Sequence, residues 1–222
     1  MADFVESARA MIGNQLPRIL ELPCGYGRVT RKLVERFGSD RVLVAEIMAP
    51  AIEFCVEQFG VFGYRVTEPV NEFRSIPDAD FDVAVMGSLI THLSEENSKI
   101  VFSNFFRKLK PGGIGVVTTT GVRARELLEH SAHYQTEVCQ VGVDGRRHLI
   151  DRYDSGQFGY AKYISNHTFE QKTVDLVGDV YGYSLIPKEW VEKMAEANGL
   201  KIVKWLPGGW DGHQDVFFIL KA

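Results

Sequence analysis

Two carboxylates and a glycine turn form the most chemically suggestive pattern in the sequence. Glu21 ends an apolar run and precedes the turn Gly25-Tyr26-Gly27, and Glu46 ends the next apolar run, 25 residues after Glu21. Glycine lets a backbone approach a ligand closely, and an acid after the second strand can accept hydrogen bonds from both hydroxyls of a ribose. A carboxylate at Glu21 would repel a pyrophosphate but attract a cationic amino group. The pattern predicts a nucleoside-containing ligand at this turn.

Two other classes of protein remain open on this pattern. A nicotinamide-dependent oxidoreductase needs a third small residue after the turn, where this chain has Thr30, and a Tyr-x-x-x-Lys pair is not evident. A non-catalytic domain that keeps the fold for partner binding predicts a degraded turn, whereas both glycines and both acids are present. Both alternatives are therefore disfavoured.

Two histidines are candidate general bases. His92 follows a predicted strand and His213 lies in the predicted turn before the last strand, so both are expected at the carboxyl edge of the sheet. An imidazole near neutral pH can take a proton from an acceptor. Each histidine can also be purely structural, His92 as a helix-start residue satisfied by backbone and His213 as part of a turn fixed by Asp211, Gln214 and Asp215.

Alternating strand and helix patterns position these residues. Strands separated by helices favour parallel pairing and right-handed crossovers, which predicts a doubly wound α/β sheet with helices on both faces. The turn 207–215 joins the last two strands as an antiparallel hairpin. The predicted strands are 18–22, 41–45, 64–67, 81–86, 114–119, 201–206 and 216–221, and the predicted helices are 4–15, 29–37, 50–59, 98–109 and 187–198.

The segment 122–181 interrupts the alternation and is predicted to be an insertion over the site within a single domain of residues 1–222. It is rich in Gly, Asp, Tyr and His and poor in long apolar runs. Tyr160 and Tyr163, together with Trp210, are candidate substrate-binding residues that could form an aromatic wall for a small or carbohydrate-like acceptor. The same aromatic residues could instead form a small core of the insertion.

The composition limits the partners. A net charge of −4 gives no overall attraction to a phosphate backbone, so nucleic acid is not expected as a substrate. Apolar runs fall short of the roughly 20 residues that span a bilayer, and the first residues lack a secretory pattern, so a cytoplasmic protein is expected. The three cysteines contain no CxxC pair; we expect free thiols and no metal site. The oligomeric state is open.

Four segments in order resemble the class I S-adenosylmethionine-dependent methyltransferases: ELPCGYGR, the acid at Glu46, FDVAVMGSLITHL and LKPGGIGVVTTTG. The resemblance covers about residues 17–121. It implies a Rossmann-like, seven-stranded sheet with the last strand antiparallel, S-adenosylmethionine as the cofactor and S-adenosylhomocysteine as the product. An Asn/Asp-Pro-Pro-Tyr sequence, typical of base-amino methylases in this superfamily, is absent. The expected acceptor is a small molecule or glycan that is methylated on oxygen or nitrogen.

The resemblance also implies roles for individual residues. Residues of the first turn would line the methionine part of the cofactor. The acid after the second strand would bind the ribose, and the two residues that follow it would flank the adenine. Residues after the fourth strand would approach the sulfonium. Glu68 and Asn71 match the family's adenine-binding acid poorly. In that order, the implied cofactor residues are Glu21, Pro23, Gly25 and Gly27, then Glu46, Ile47 and Met48, then Gly87, Ser88 and Leu89.

Overall fold

A computed structural model describes residues 1–66, 72–164 and 181–222 of the chain. Each strand of the main sheet follows from an apolar or β-branched run, and most of these runs are buried on both faces. The strands are β1 (Ile19–Glu21), β2 (Val42–Glu46), β3 (Phe62–Arg65), β4 (Phe81–Met86), β5 (Leu109–Thr120), β6 (Gly159–Lys162), β7 (Gly182–Leu185), β8 (Leu200–Trp210) and β9 (Gln214–Lys221).

The main sheet has seven strands in the order β3-β2-β1-β4-β5-β9-β8. β1 lies between β2 and β4 and pairs in parallel with both. β3 pairs in parallel with β2, and β5 pairs in parallel with β4. β9 pairs antiparallel with both β5 and β8. The predicted doubly wound sheet with an antiparallel last strand is confirmed. The chain order reverses at β1 and β4, so their carboxyl ends form the edge where ligands bind in open α/β sheets.

Helices cover both faces of the sheet and divide the core into two layers. One layer packs α1, α2 and α3 against residues such as Ile19, and the other packs α4 and α7 against residues such as Leu20. Alternate side chains of β1 thus enter opposite layers, as the period of a strand requires. The helices are α1 (Ala2–Ile12), α2 (Thr30–Phe37), α3 (Ala49–Phe59), α4 (Glu95–Arg107), α5 (Val122–His130), α6 (Gly142–Asp154) and α7 (Lys188–Ala197).

Some predicted boundaries differ from the structure where glycine and proline were interpreted as turns. The segment Pro111-Gly112-Gly113 lies inside β5, which begins at Leu109 because Leu109 pairs with Phe81 before the ladder shifts. The helix predicted at 98–109 is observed as α4, which ends at Arg107, two residues before the predicted end. The predicted turn 207–215 is also too long, because a ladder irregularity between Leu206 and Trp210 keeps this segment within β8.

Other elements shift by a few residues. The predicted helix 4–15 spans 2–12 and ends at Gly13, whose left-handed φ of 66° suits glycine. The predicted strand 64–67 is observed as 62–65, and Thr67, Glu68 and Asn71 lie outside the described residues.

The segment 122–181 contains more regular structure than its sequence pattern indicated. It holds α5, a π-helical stretch Tyr134–Cys139, α6 and β6, and β6 pairs antiparallel with β7. Residues of these elements form a third hydrophobic cluster that includes Leu149 and Tyr183. Residues 165–180 lie outside the described part. In the described ranges, no helix is long and apolar enough to cross a membrane.

Candidate active site

The glycine turn after β1 is fixed by the strands on either side of it. The Leu22 amide donates to the Val85 carbonyl of β4 at 2.9 Å, and the Cys24 amide donates to the Ala45 carbonyl of β2 at 3.1 Å. Pro23 lies between these two contacts. Backbone bonds to both neighbouring strands place the turn at the carboxyl edge, where the chain order reverses.

The two glycines of this turn face different surroundings. Gly25 has a φ of 50° and Gly27 a φ of 77°, both in the left-handed region that favours glycine. A Cβ at Gly27 would lie 2.4 Å from the Phe59 ring, so the turn packs tightly on α3 there. A Cβ at Gly25 would meet no atom within 4 Å. The turn is therefore closed beneath Gly27 and open above Gly25.

The carboxylate of Glu46 lies directly beside this opening. Its Oε2 accepts from the Gly25 amide at 3.0 Å, while Oε1 accepts from the Ile47 amide at 2.8 Å and the Met48 amide at 3.3 Å. The residue is only 5% exposed. Hydrogen bonds to a charged acceptor are worth about 1.5–3 kcal/mol each, so Glu46 ties the glycine turn to the residues after β2.

The carboxyl group of Glu21 is buried at the base of the same turn. Its Oε2 accepts from the Thr30 hydroxyl at 2.7 Å, which links the end of β1 to the first residue of α2. The pKa of Glu21 is raised to about 8. Burial is the main cause and the nearby charge of Glu46 adds to it, while the hydrogen bonds from Thr30 act in the opposite direction. A cation bound beside Glu21 would favour its ionised form.

These features fit an S-adenosylmethionine molecule. The open space above Gly25 would admit a ligand that a Cβ would obstruct, and two carboxyl groups flank it. Carboxylates suit both the ammonium group of a methionine and the hydroxyls of a ribose. The two carboxyl groups and the open turn therefore match the cofactor implied by the sequence.

The segment after β4 carries the residues expected near the sulfonium. Gly87 contacts Trp210 closely, because a Cβ there would approach the Trp210 ring to 2.8 Å. Ser88 adopts a left-handed φ of 55°, which costs a residue other than glycine about 1 kcal/mol or more. The Ser88 amide donates to the Thr118 hydroxyl of β5 at 2.8 Å. Leu89 packs against the core layer of α4 and α7.

The ring of His92 is held among aromatic side chains. It stacks on Tyr181 with centroids 5.1 Å apart and planes at 12°, and its Nδ1 lies 2.7 Å from the Tyr163 hydroxyl and 3.3 Å from the Gly182 carbonyl. Loss of water around the ring lowers the pKa of His92 to about 4. His92 is therefore neutral near pH 7 and joins the β4 side of the site to the β6–β7 hairpin.

The other histidine occupies the turn between β8 and β9. The Nδ1 of His213 lies 3.0 Å from the Asp211 carbonyl, which can only accept, so Nδ1 carries the proton. Nε2 is then the basic nitrogen, and it lies 3.5 Å from the side-chain nitrogen of Gln214. The ring also packs edge-on against Tyr134 at 5.4 Å. This is the geometry of an oriented base.

The three predicted aromatic wall residues do not share one surface. Tyr160 packs on the core layer of α4 and α7, and Tyr163 on the third cluster. Trp210 lies instead against Gly87 and beneath the Arg28 guanidinium, 5.4 Å from the ring centroid. Tyr160 belongs to β6, which ends at Lys162, and Tyr163 follows that strand. The aromatic wall stays a prediction. Trp210 and Arg28 also line a cavity of about 510 Å³ at the start of α1.

Sequence reasoning missed two residues of the site, Thr118 and Gln214. Both are polar and almost fully buried, at 0% and 5% exposure. Buried polar side chains need hydrogen-bond partners, so the three consecutive threonines that end an otherwise apolar strand were an available signal.

Comparison with known proteins agrees with this geometry. Residues 19–113, somewhat less than half of the chain, match a protein family described as a methyltransferase domain. The matched region contains the glycine turn, both acids and the segment after β4. This part of the chain is similar to methyltransferase domains.

Solved structures of similar fold match nearly the whole length of this chain. The 1,6-didemethyltoxoflavin-N1-methyltransferase of Burkholderia thailandensis, with bound 1,6-didemethyltoxoflavin and S-adenosylhomocysteine, has a TM-score of 0.63 at 16% identity, covering 100% of this chain and 76% of that one. An S-adenosylmethionine-dependent methyltransferase of Mesorhizobium loti has a TM-score of 0.57 at 16% identity, covering 99% and 98%.

A third similar structure shows how far the fold alone can be taken. The [4+2]-cyclase SpnF has a TM-score of 0.59 at 13% identity, covering 99% of this chain and 80% of that chain. SpnF is a cyclase, so this fold supports more than one reaction. No curated protein matched the sequence of this chain. Its acceptor must therefore be argued from its own residues.

Proposed function

We propose that this chain is an S-adenosylmethionine-dependent methyltransferase that transfers a methyl group to an oxygen or nitrogen atom of a small molecule or glycan. The observation that carries the cofactor half of the proposal is the open glycine turn bracketed by two buried carboxyl groups. A small-molecule acceptor is supported by the Burkholderia thailandensis enzyme, which holds 1,6-didemethyltoxoflavin beside S-adenosylhomocysteine. The net charge of −4 also disfavours a nucleic-acid acceptor.

The cofactor residues divide by the part of the cofactor they hold. Glu21 receives the ammonium of the methionine moiety, and Pro23, Gly25 and Gly27 shape the surface on which that moiety lies. Glu46 exchanges its bond to the Gly25 amide for bonds to the ribose hydroxyls. The remaining residues flank the adenine, namely Ile47 and Met48, or face the sulfur, namely Gly87, Ser88 and Leu89.

The acceptor side supplies position and a base. When bound, S-adenosylmethionine provides an activated methyl group on a sulfonium. Methyl transfer is an in-line displacement, so the main task of the chain is to align the acceptor with the methyl group. The Nε2 of His213 takes the proton of a hydroxyl or acidic N–H group, since Nδ1 is already bonded to the Asp211 carbonyl.

His92 has a different role in this proposal. With its pKa lowered to about 4, it is a poor proton acceptor near pH 7. It positions Tyr163 and Tyr181, which enclose the acceptor side together with the predicted insertion 122–181. Residues 1–222 then act as one domain, and the buried, unbridged cysteines suit a cytoplasmic location.

Calorimetry with S-adenosylmethionine and S-adenosylhomocysteine tests the cofactor half directly. The unmodified protein is expected to bind both saturably, and Glu46→Ala is expected to weaken binding. Glu53→Ala is the matched control, because Glu53 is an exposed acid on α3. Equal affinities of the two variants, or no binding by the unmodified protein, would contradict the assignment.

Mass spectrometry with isotopically labelled S-adenosylmethionine tests the acceptor half. Small hydroxyl and amino compounds and simple glycans form the first panel, with tRNA and duplex DNA as competitors. Label on an oxygen or nitrogen of a small acceptor supports the proposal. Label on nucleic acid or only on carbon would overturn it.

A further inference from the structure

One buried amide joins the segment after β4 to the turn before β9. The side chain of Gln214 contacts Thr118, Ser88 and His213, at 2.6 Å, 3.0 Å and 3.5 Å. The residue is the first of β9 and is 5% exposed, so its polar atoms depend on these partners.

Proton counting fixes the direction of each hydrogen bond. The Thr118 oxygen accepts from the Ser88 amide, and its own hydroxyl proton goes to Gln214 Oε1. The NH₂ group of Gln214 must then face Ser88 Oγ and His213 Nε2. The Asp211 carbonyl independently places the His213 proton on Nδ1, which leaves Nε2 able to accept from that NH₂ group. The Thr118 hydroxyl and the Asp211 carbonyl thus independently favour the same orientation of the Gln214 side-chain amide.

The hydrogen-bonded ring closes on a residue with an unusual backbone. Ser88 is held at a φ of 55° by a bond from its own amide to Thr118 and a bond to its hydroxyl from Gln214. The Ser88 hydroxyl also lies 3.3 Å from that of Thr91. Such conformations persist where neighbours over-determine them, often at functional sites.

We propose that Gln214 is a positioning residue of the methyl-transfer site. It sets the conformation of Ser88 and, by facing its NH₂ group to Nε2 at 3.5 Å, keeps the His213 proton on Nδ1; the Nε2 lone pair becomes free for the acceptor's proton when the acceptor displaces this long contact. The inference rests on the proposed function, because it assumes that Ser88 faces the reacting sulfur and that His213 is the base. It narrows the acceptor to a group that loses a proton during transfer, such as a hydroxyl or an acidic N–H.

The tautomer of His213 provides a test that needs neither cofactor nor acceptor. Histidine-labelled protein is examined by NMR at pH 8, where an ordinary imidazole is neutral. The unmodified protein is expected to hold His213 as the Nδ1–H form. Gln214→Glu has the same shape but places a carboxylate instead of a donor opposite Nε2, so Nε2 is expected to gain a proton, as the Nε2–H tautomer or as the imidazolium that keeps Nδ1–H on the Asp211 carbonyl. Gln15→Glu, an exposed change at the end of α1, is expected to leave the tautomer unchanged.

Cofactor affinity gives the second measurement. Both Gln214→Glu and Gln214→Ala are expected to weaken S-adenosylhomocysteine binding by about fivefold, the effect of one ordinary hydrogen bond. An Nε2–H tautomer in the unmodified protein, or no gain of a proton at Nε2 in a folded Gln214→Glu variant, would overturn the inference. If the unmodified protein binds no S-adenosylhomocysteine, the proposed function fails instead, and the tautomer result still stands.

Discussion

The proposed cofactor side and the proposed acceptor side of this protein are built in different ways. The cofactor side comes from short-range sequence, because Glu21, the glycine turn and Glu46 all lie within 26 consecutive residues. The proposed acceptor side comes from distant segments, since His92 and its partner Tyr163 are 71 residues apart. Its contacts include neutral hydroxyls, an amide and aromatic rings, whereas buried carboxyl groups dominate the cofactor side. In the proposed function, the cofactor is therefore recognised largely by a local motif, while the acceptor depends on tertiary assembly.

The largest expected effect separates the two glycines of the cofactor side. Gly27→Ala adds a Cβ 2.4 Å from Phe59 at a left-handed φ. The free energy of unfolding should fall by about 2–5 kcal/mol, combining the backbone and overpacking costs. Gly25→Ala meets open space and should lose only about 1–2 kcal/mol from its backbone. Urea denaturation measures both.

Cofactor affinity sharpens the same contrast. Gly25→Ala should stay folded and yet bind S-adenosylhomocysteine at least about tenfold more weakly, because the new methyl group would occupy the opening. A Gly25→Ala variant that binds normally would show that the ligand does not lie over this turn.

The next effect distinguishes an acid of the cofactor side from the base of the acceptor side. Glu46→Gln replaces a charged acceptor of three amides, so S-adenosylhomocysteine affinity should fall by about 10–100-fold. His213→Asn should leave that affinity within about twofold and abolish most transfer to a proton-bearing acceptor. Calorimetry and a transfer assay on both variants check the separation, and equal loss of affinity in both would remove it.

A third comparison concerns the two histidines. His92→Phe removes the bonds to Tyr163 and Gly182 and should reduce stability by about 1–2 kcal/mol. His213→Asn lies in a surface turn and should cost less than about 0.5 kcal/mol. Thermal unfolding of the two variants gives the comparison. A more stable His92→Phe protein would argue against a structural role for that ring.

A separate effect is a pH dependence of stability that arises from Glu21, at about 1.4 kcal/mol per unit of pKa difference. Burial raises its pKa from 4.5 to about 8, so between these values the native state holds a proton that the unfolded chain has released. The free energy of unfolding should therefore decrease as pH rises from about 5 to 8. Glu21→Gln is neutral throughout and should lose this part of the slope. Urea denaturation at several pH values tests it, and identical slopes would contradict the buried, protonated state.

The same contrast explains what the sequence could predict. The strand 81–86 and the parallel order were predicted correctly, because a buried parallel strand is a continuous apolar run. Pro111-Gly112-Gly113 misled the prediction, since pairing of Leu109 with Phe81 overrides local turn preference. The helices α5 and α6 and the strand β6 within 122–181 were missed because this segment lacks the long apolar runs on which the other elements were predicted. Gln214 was considered only as a turn residue, as its partners are far away in sequence.

Hydrogen–deuterium exchange with and without S-adenosylhomocysteine tests the central claim most directly. If the cofactor lies over the glycine turn between Glu21 and Glu46, binding should slow exchange at residues 22–28 and 46–48, and also at 87–89. Residues 188–197 of α7 should exchange at an unchanged rate. Saturable binding with protection elsewhere, or no protection at the glycine turn, would contradict the account.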